Sequence, residues 1–165
     1  MWRGLARVGL VALALCLSVL VVFLVGMRAK SPRVQRAVRQ MNKAYWNPRA
    51  MATAGTPGAY ASVVHHVGRR SGTTRSTPVV PVATDDGFVV ALPYGPGADW
   101  VQNVLAAGAA TIVHEGEIYE VTDPEVVPTA ELDAHFTASD RRTQRLFNVD
   151  RCLRVRRVTA LTPSP

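Results

Sequence analysis

The chain has 165 residues, 48% of them hydrophobic and 19% charged, with a formal net charge of +7. Its two cysteines exclude a disulfide-built scaffold, and the length beyond an apolar N-terminal run supports one domain with a substantial core. No Asp or Glu precedes Asp85, so the positive charge is polarised; without a nucleic-acid motif it points to anionic lipid or a small polyanion rather than to DNA or RNA.

Residues 8–27 are uncharged and almost wholly apolar, enough to cross a bilayer core of roughly 30 Å. The run is longer than the apolar part of a cleaved signal peptide, and no Ala-x-Ala site stands near Val25-Gly26-Met27-Arg28. An uncleaved single-pass anchor is therefore expected over residues 1–29, with the lipid bilayer as a partner. Arg3 and Arg7 precede the span, whereas Arg28, Lys30, Arg33, Arg36, Arg39 and Lys43 follow it, which predicts a cytoplasmic domain. Cys16 falls in the span and Cys152 in the last predicted strand, so no disulfide is expected. Residues 32–46 carry Val34, Ala37, Val38, Met41 and Tyr45 at helical spacing, with Arg33, Arg36, Arg39 and Lys43 around the other side. This is an amphipathic helix, lying either on the lipid surface or on its own domain. Residues 47–60, with Pro48, Gly55, Pro57 and Gly58, read as a loop, so residues 30–60 form a helix and linker ahead of a domain at 61–160.

Residues 61–67 and 77–84 are rich in β-branched side chains and read as two strands around the turn Gly68-Arg69-Arg70-Ser71-Gly72-Thr73-Thr74-Arg75. Asp85-Asp86-Gly87 signals a tight turn, and residues 88–92 a buried strand that ends at the glycine-rich loop Pro93-Tyr94-Gly95-Pro96-Gly97-Ala98. Residues 100–108 read as a short helix, with Asp99 as N-cap and Gly108 as its stop. Residues 110–114 and 118–122 form a hairpin. Asp123-Pro124 is expected to open a helical stretch that Pro128 interrupts and that resumes over 130–147, with Leu132, His135, Phe136 and Leu146 inward. Residues 151–159 read as a final strand on which Arg154, Arg156 and Arg157 protect a sheet edge. The 161–165 tail is expected to be disordered.

The chemistry gathers in the two loops. Arg69, Arg70 and Arg75 offer fixed charge and planar donors suited to phosphate or carboxylate, Ser71, Thr73 and Thr74 add hydroxyls, and Gly72 lets the backbone approach closely. The helix after the second loop adds an N-terminal dipole. His65 and His66 are adjacent on a strand and so point to opposite faces, which argues against one shared metal ion. No nucleophile elbow, zinc-protease helix, cysteine cluster or dinucleotide glycine fingerprint is present, so catalysis would rest on a cofactor.

The order Gly-Arg-Arg-Ser-Gly-x-x-Arg-x-x-Pro-Val, strand, glycine-rich loop, Trp-x-x-Asn-Val-Leu-Ala-Ala-Gly resembles the actinobacterial deazaflavin-dependent nitroreductase family from about Val63 to Thr122. The resemblance implies an α+β split β-barrel that binds coenzyme F420, a hydride carrier with a phosphate and an oligoglutamate tail, in preference to FMN. It places Arg70 and Arg75 on that tail, with Ser71 and Thr74 as neighbouring hydroxyls and Pro78 and Val79 along the ring system. Tyr94, Gly95 and Gly97 match the loop after the cofactor strand, and Trp100 and Asn103 the helix behind it, while the helix over residues 32–46 corresponds to one that covers the substrate side of the cofactor in some members. The expected activity is hydride transfer from reduced F420 to a small apolar acceptor of quinone or nitro type. The alternative is a membrane-tethered module that holds F420 or a fatty acyl ligand without turnover.

Overall fold

The computed structural model describes the backbone of residues 2–158 and side chains from Arg7 onward. The 161–165 tail, the end of the last predicted strand at Thr159 and the Arg3 side chain lie outside the described residues. Helix α1 (Trp2–Arg28) contains a 22-residue segment, Arg7–Arg28, of mean hydropathy 3.1, long and apolar enough to cross a membrane. Its large apolar side chains from Val8 to Val25 are mostly 50–69% exposed, whereas Met27 is buried. The chain reverses at Lys30, whose φ is 52°, into α2 (Pro32–Met41). A Cβ on Gly26 would stand 2.4 Å from Val34, so glycine is what lets α2 fold back so closely.

The helical segment does not stop at Trp46. It widens to a π-helical turn over Asn42–Trp46 and continues as α3 (Asn47–Met51), where a loop was expected. Pro48 explains both features. It has no N–H to give to the Ala44 carbonyl, so the winding loosens and the Asn47 N–H reaches back to the Asn42 carbonyl; proline at the start of α3 then fits a new helix.

Seven antiparallel strands follow: β1 (Ser62–Val67), β2 (Thr74–Val79), β3 (Pro81–Ala83), β4 (Gly87–Ala91), β5 (Ala109–His114), β6 (Glu117–Pro128) and β7 (Arg151–Arg157). Their order is β2-β1-β5-β6-β7-β4-β3, so the two edges are β2 and β3. Those edges are consecutive in the chain, separated by Val80 alone. In a flat sheet, six spacings of about 4.8 Å would hold the edges roughly 29 Å apart, whereas two peptide steps reach at most about 7.6 Å. The sheet must therefore curl into an open barrel. Val79 of β2 and Val90 of β4 accordingly meet in one core with Phe88, Ile112, Val121, Leu153 and Val155. The long second strand expected at 77–84 is thus two strands on opposite edges, broken at the corner between Val79 and Pro81.

The strand β6 corrects another expectation. Asp123-Pro124 does not begin a helix; the strand runs on to Pro128 and pairs with β7 on both sides of a bulge between Thr122 and Glu125. Asp123 takes φ 51° there, and the missing N–H of Pro124 falls within the irregularity instead of breaking the regular ladder. A 3₁₀ turn (Thr129–His135) and α5 (Ala138–Phe147) follow, separated at Phe136 and started afresh by a Thr137–Asp140 capping box. Leu132 and Phe136 are buried with Val89, Val127 and Cys152 in a second core on the outer sheet face, but His135 and Leu146 are exposed.

Strand β7 is central, flanked by β6 and β4, so its arginines do not protect an edge. Arg154 pairs with Glu125 at 2.6 Å and Arg156 lies 3.9 Å from Asp86. The Arg157 guanidinium sits 5.4 Å from both the Phe88 and Tyr119 ring centroids and donates to the Thr84 carbonyl at 2.5 Å.

Candidate functional site

The β1–β2 hairpin carries the basic turn. Its register pairs His66 with Arg75 and Val67 with Thr74, leaving Gly68 to Thr73 as the connecting loop. The Gly68 and Gly72 amides fold it tightly, bonding to the Thr73 and Gly68 carbonyls at 2.9 and 2.8 Å, with Gly72 at φ 65°. The second loop leaves β4 and enters α4 (Asp99–Ala107), which ends at Gly108 in the left-handed conformation, as expected. Asp99 is not the N-cap. Ala98 holds that position, and Asp99 stands in the first turn with its carboxylate 3.1 Å from Arg69.

Arg69 therefore joins the two loops instead of waiting for an anion. Its guanidinium donates to the Asp99 carboxylate, to the Asp99 carbonyl at 3.3 Å and to Asn103 Oδ1 at 2.8 Å, while its backbone N–H donates to the same Oδ1 at 3.1 Å. Two donors on Oδ1 fix the Asn103 amide, which is 4% exposed, and turn its Nδ2 toward His66 Nδ1 at 3.1 Å. Nδ1 must then accept, so the ring proton of His66 resides on Nε2 and is donated to Thr77 Oγ1 at 3.1 Å. Burial, reinforced by the charges of Arg75 and His65, holds the His66 imidazole below its ordinary value and keeps it neutral. With its oxygen already accepting, the Thr77 hydroxyl is left with its own proton to give.

These groups form one wall of a cleft of about 560 Å³. Of the residues singled out by sequence, Arg70, Ser71, Arg75, Pro78, Tyr94, Trp100 and Asn103 line it together. Thr74 is exposed outside the lining, Val79 is buried in the barrel core, and Gly95 and Gly97 shape the second loop without facing the cleft. His65 and His66 turn apart, His65 to Ser76 and His66 to Asn103 and Thr77.

The opposite wall comes from the helical segment ahead of the barrel, the place the resemblance offered for it, although sequence did not single out the side chains that build it. Arg39, Asn42, Lys43 and Asn47 of the helical segment after α1 line the same cleft. Asn42 Nδ2 donates to the Tyr94 hydroxyl at 2.6 Å, and an Arg39 nitrogen stands 3.5 Å from the Tyr94 carbonyl, so the helix is latched to the second loop. The signal for it was the polar stripe that Arg39, Asn42, Lys43 and Asn47 make at spacings of three, one and four. Five cationic side chains thus face the cleft against one carboxylate, that of Asp99, which Arg69 holds. Arg70 and Arg75 make no ion pair among the described residues. With Pro78, Ala98 and Trp100 as its apolar border, the cleft suits a ligand that is flat at one end and multiply anionic at the other.

Residues 32–158 match the sequence profile of a family described as F420H(2)-dependent quinone reductase. No curated protein shows significant similarity to the chain. Solved structures of similar fold include one described as an F420-H2 dependent reductase, 14% identical, covering 58% of this chain and 93% of its own, with a TM-score of 0.46. Another, described as an F420 reductase, is 13% identical and covers 66% of this chain and 92% of its own, with a TM-score of 0.42.

Proposed function

We propose that this chain, which belongs to the F420H2-dependent quinone reductase family and is an F420H2-dependent reductase, works at a membrane surface and reduces a small, lipid-soluble quinone. The observation that carries this reading is the origin of the cleft's second wall. Arg39, Asn42, Lys43 and Asn47 follow directly on an apolar helix ending at Arg28, so the cleft sits beside whatever holds that helix. With α1 in a bilayer, an acceptor dissolved in the lipid has the shortest path to the site, and the cationic flank at residues 28–43 favours the cytoplasmic side.

The residues fit the coenzyme. Arg70 and Arg75, with the Ser71 hydroxyl, would hold the phosphate and carboxylate tail, and Pro78 and Trp100 would border the ring system. When bound, reduced F420 supplies a hydride. The chain's part is to place and shield the reacting groups. His66 fixes the Thr77 hydroxyl as a donor toward the cleft, suited to an acceptor carbonyl or a ring oxygen. Thr77 is a hydrogen-bond donor and not an acid, because neutral His66 has already given it the only ring proton. Asp99, the lone carboxylate on the cleft, is engaged by Arg69, so the proton that completes a hydroquinone would enter from water. Tyr94, held by Asn42, would close the mouth.

The test is oxidation of F420H2 by the full chain in liposomes, offered a short-chain quinone in the lipid or a water-soluble nitroaromatic at equal concentration. Faster turnover with the quinone is expected. Turnover with the nitroaromatic alone would overturn the quinone assignment while leaving the reductase intact.

A further inference from the structure

A second cavity, of about 1010 Å³, lies away from the cleft, where α1 meets α5. Four guanidinium groups line it, those of Arg28, Arg141, Arg145 and Arg151, against the carboxylates of Asp133 and Asp150. Asp150 is already paired with Lys30. The arginines are only partly engaged. Arg28 and Arg141 each direct Nη1 at two backbone carbonyls, Arg141 also stands 4.0 Å from the Asp133 carboxylate through Nε, Arg145 donates only from Nε, and the Arg151 side chain makes no hydrogen bond among the described residues. Each keeps N–H donors for a ligand.

Gln144 gives the cavity its direction. It is 7% exposed, lines the cavity, and its amide makes no hydrogen bond among the described residues. Neither polar atom of that amide is sealed from solvent, and the cavity is the space it shares with the arginines, so the amide is available to a ligand there. Gln144 is moreover on the helix that receives the anchor. Phe23 packs edge-on against Phe147 at 6.0 Å, and Arg28 Nη1 donates to the Arg145 and Leu146 carbonyls at 2.8 and 3.1 Å, closing the C-terminus of α5. From Phe23 to Arg28 a helix rises roughly 7.5 Å, about the depth of a headgroup layer.

We infer that this cavity is a phosphate-binding site, with an anionic phospholipid headgroup at the foot of α1 as its occupant. The phosphate oxygens would accept from the free nitrogens of Arg28, Arg145 and Arg151 and from the Gln144 amide. The lipid source rests on α1 lying in a bilayer; recognition of phosphate does not, and neither depends on the F420 cleft.

Native mass spectrometry of the full chain tests this, released from micelles doped with equal phosphatidylglycerol and phosphatidylcholine, beside a thermal-shift titration with inorganic phosphate. One retained phosphatidylglycerol is expected, falling roughly tenfold in a Gln144→Leu, Arg151→Gln variant, the effect of a lost hydrogen bond to a charged group. Should that variant fail to fold, Gln144→Glu keeps the side-chain shape, opposes an anion, and carries the same expectation. Stabilisation by inorganic phosphate without lipid retention would support the site with free phosphate as its source. Equal retention of both lipids by native and variant chains, or no response to either probe, would overturn it.

Discussion

Asn103 shows how much one buried amide can set. Its oxygen receives two donors from Arg69, which orients its nitrogen to His66, fixes the imidazole tautomer and leaves the Thr77 hydroxyl with its own proton to donate. Replacing His66 by Phe leaves that amide nitrogen buried without an acceptor, and a loss of about 1–3 kcal/mol is expected in thermal or denaturant unfolding. The sign of the pH effect follows from the depressed His66 value. In the unfolded chain the imidazole takes a proton near its ordinary 6.5, whereas in the folded chain it resists. His66 therefore contributes no loss above that pH, and stability declines as the pH falls below it, levelling off only once the folded imidazole is itself protonated. An NMR titration in which the His66 ring protonates at or above its ordinary pH would contradict this. The two arginines separate by role. Arg75→Ala is expected to weaken F420 binding at least roughly tenfold and to flatten its salt dependence, whereas Arg69→Ala should also lower the melting temperature, because it unties the two loops.

Among the elements, the helical segment from Pro32 to Met51 bears most on function. The latch from Asn42 to the Tyr94 hydroxyl ties it to the second loop, so Tyr94→Phe should cost about 1 kcal/mol there and raise the KM for the acceptor more than it lowers kcat. An equal fall in kcat with KM unchanged would place Tyr94 in the chemical step instead. Sequence legibility divides along the same line. The hairpin turn, the glycine-rich loop and the helix stop at Gly108 were readable because local chemistry decides them. The break at Val80 was not, because the strand propensity of residues 77–84 is continuous and the corner is imposed by closure of the barrel. The extension of β6 through Asp123-Pro124 was hidden for a related reason: proline argues against a strand unless a bulge receives it, and the bulge exists only through pairing with β7. Arg69 was grouped with the anion-binding arginines because sequence spacing says nothing of the distant Asp99 and Asn103 that engage it.

At the scale of the molecule, the end of α1 packs on the domain that the curled sheet builds. Within that sheet β4 pairs closely with β7, where a Cβ on Gly87 would lie 2.0 Å from the Val155 carbonyl oxygen. Gly87→Ala must displace backbone and is expected to destabilise the barrel by about 3 kcal/mol, read from denaturant unfolding. The α1 helix joins the barrel through the Phe23–Phe147 contact, the Arg28 cap on α5 and the Lys30–Asp150 pair, while the rest of its apolar surface remains exposed. Its register against the domain fixes which side of the barrel faces the helix's surroundings, and the cleft wall built from Arg39, Asn42, Lys43 and Asn47 lies on the segment that follows it.

The central claim is that the cleft between the two loops and this helical segment holds F420 through Arg70 and Arg75. Fluorescence titration of F420 into the full chain, native and with Arg70→Ala and Arg75→Ala combined, measures it most directly. Binding that weakens with salt in the native chain and is lost in the folded double variant is the expected result. Equal affinity in both would move the cofactor out of this cleft.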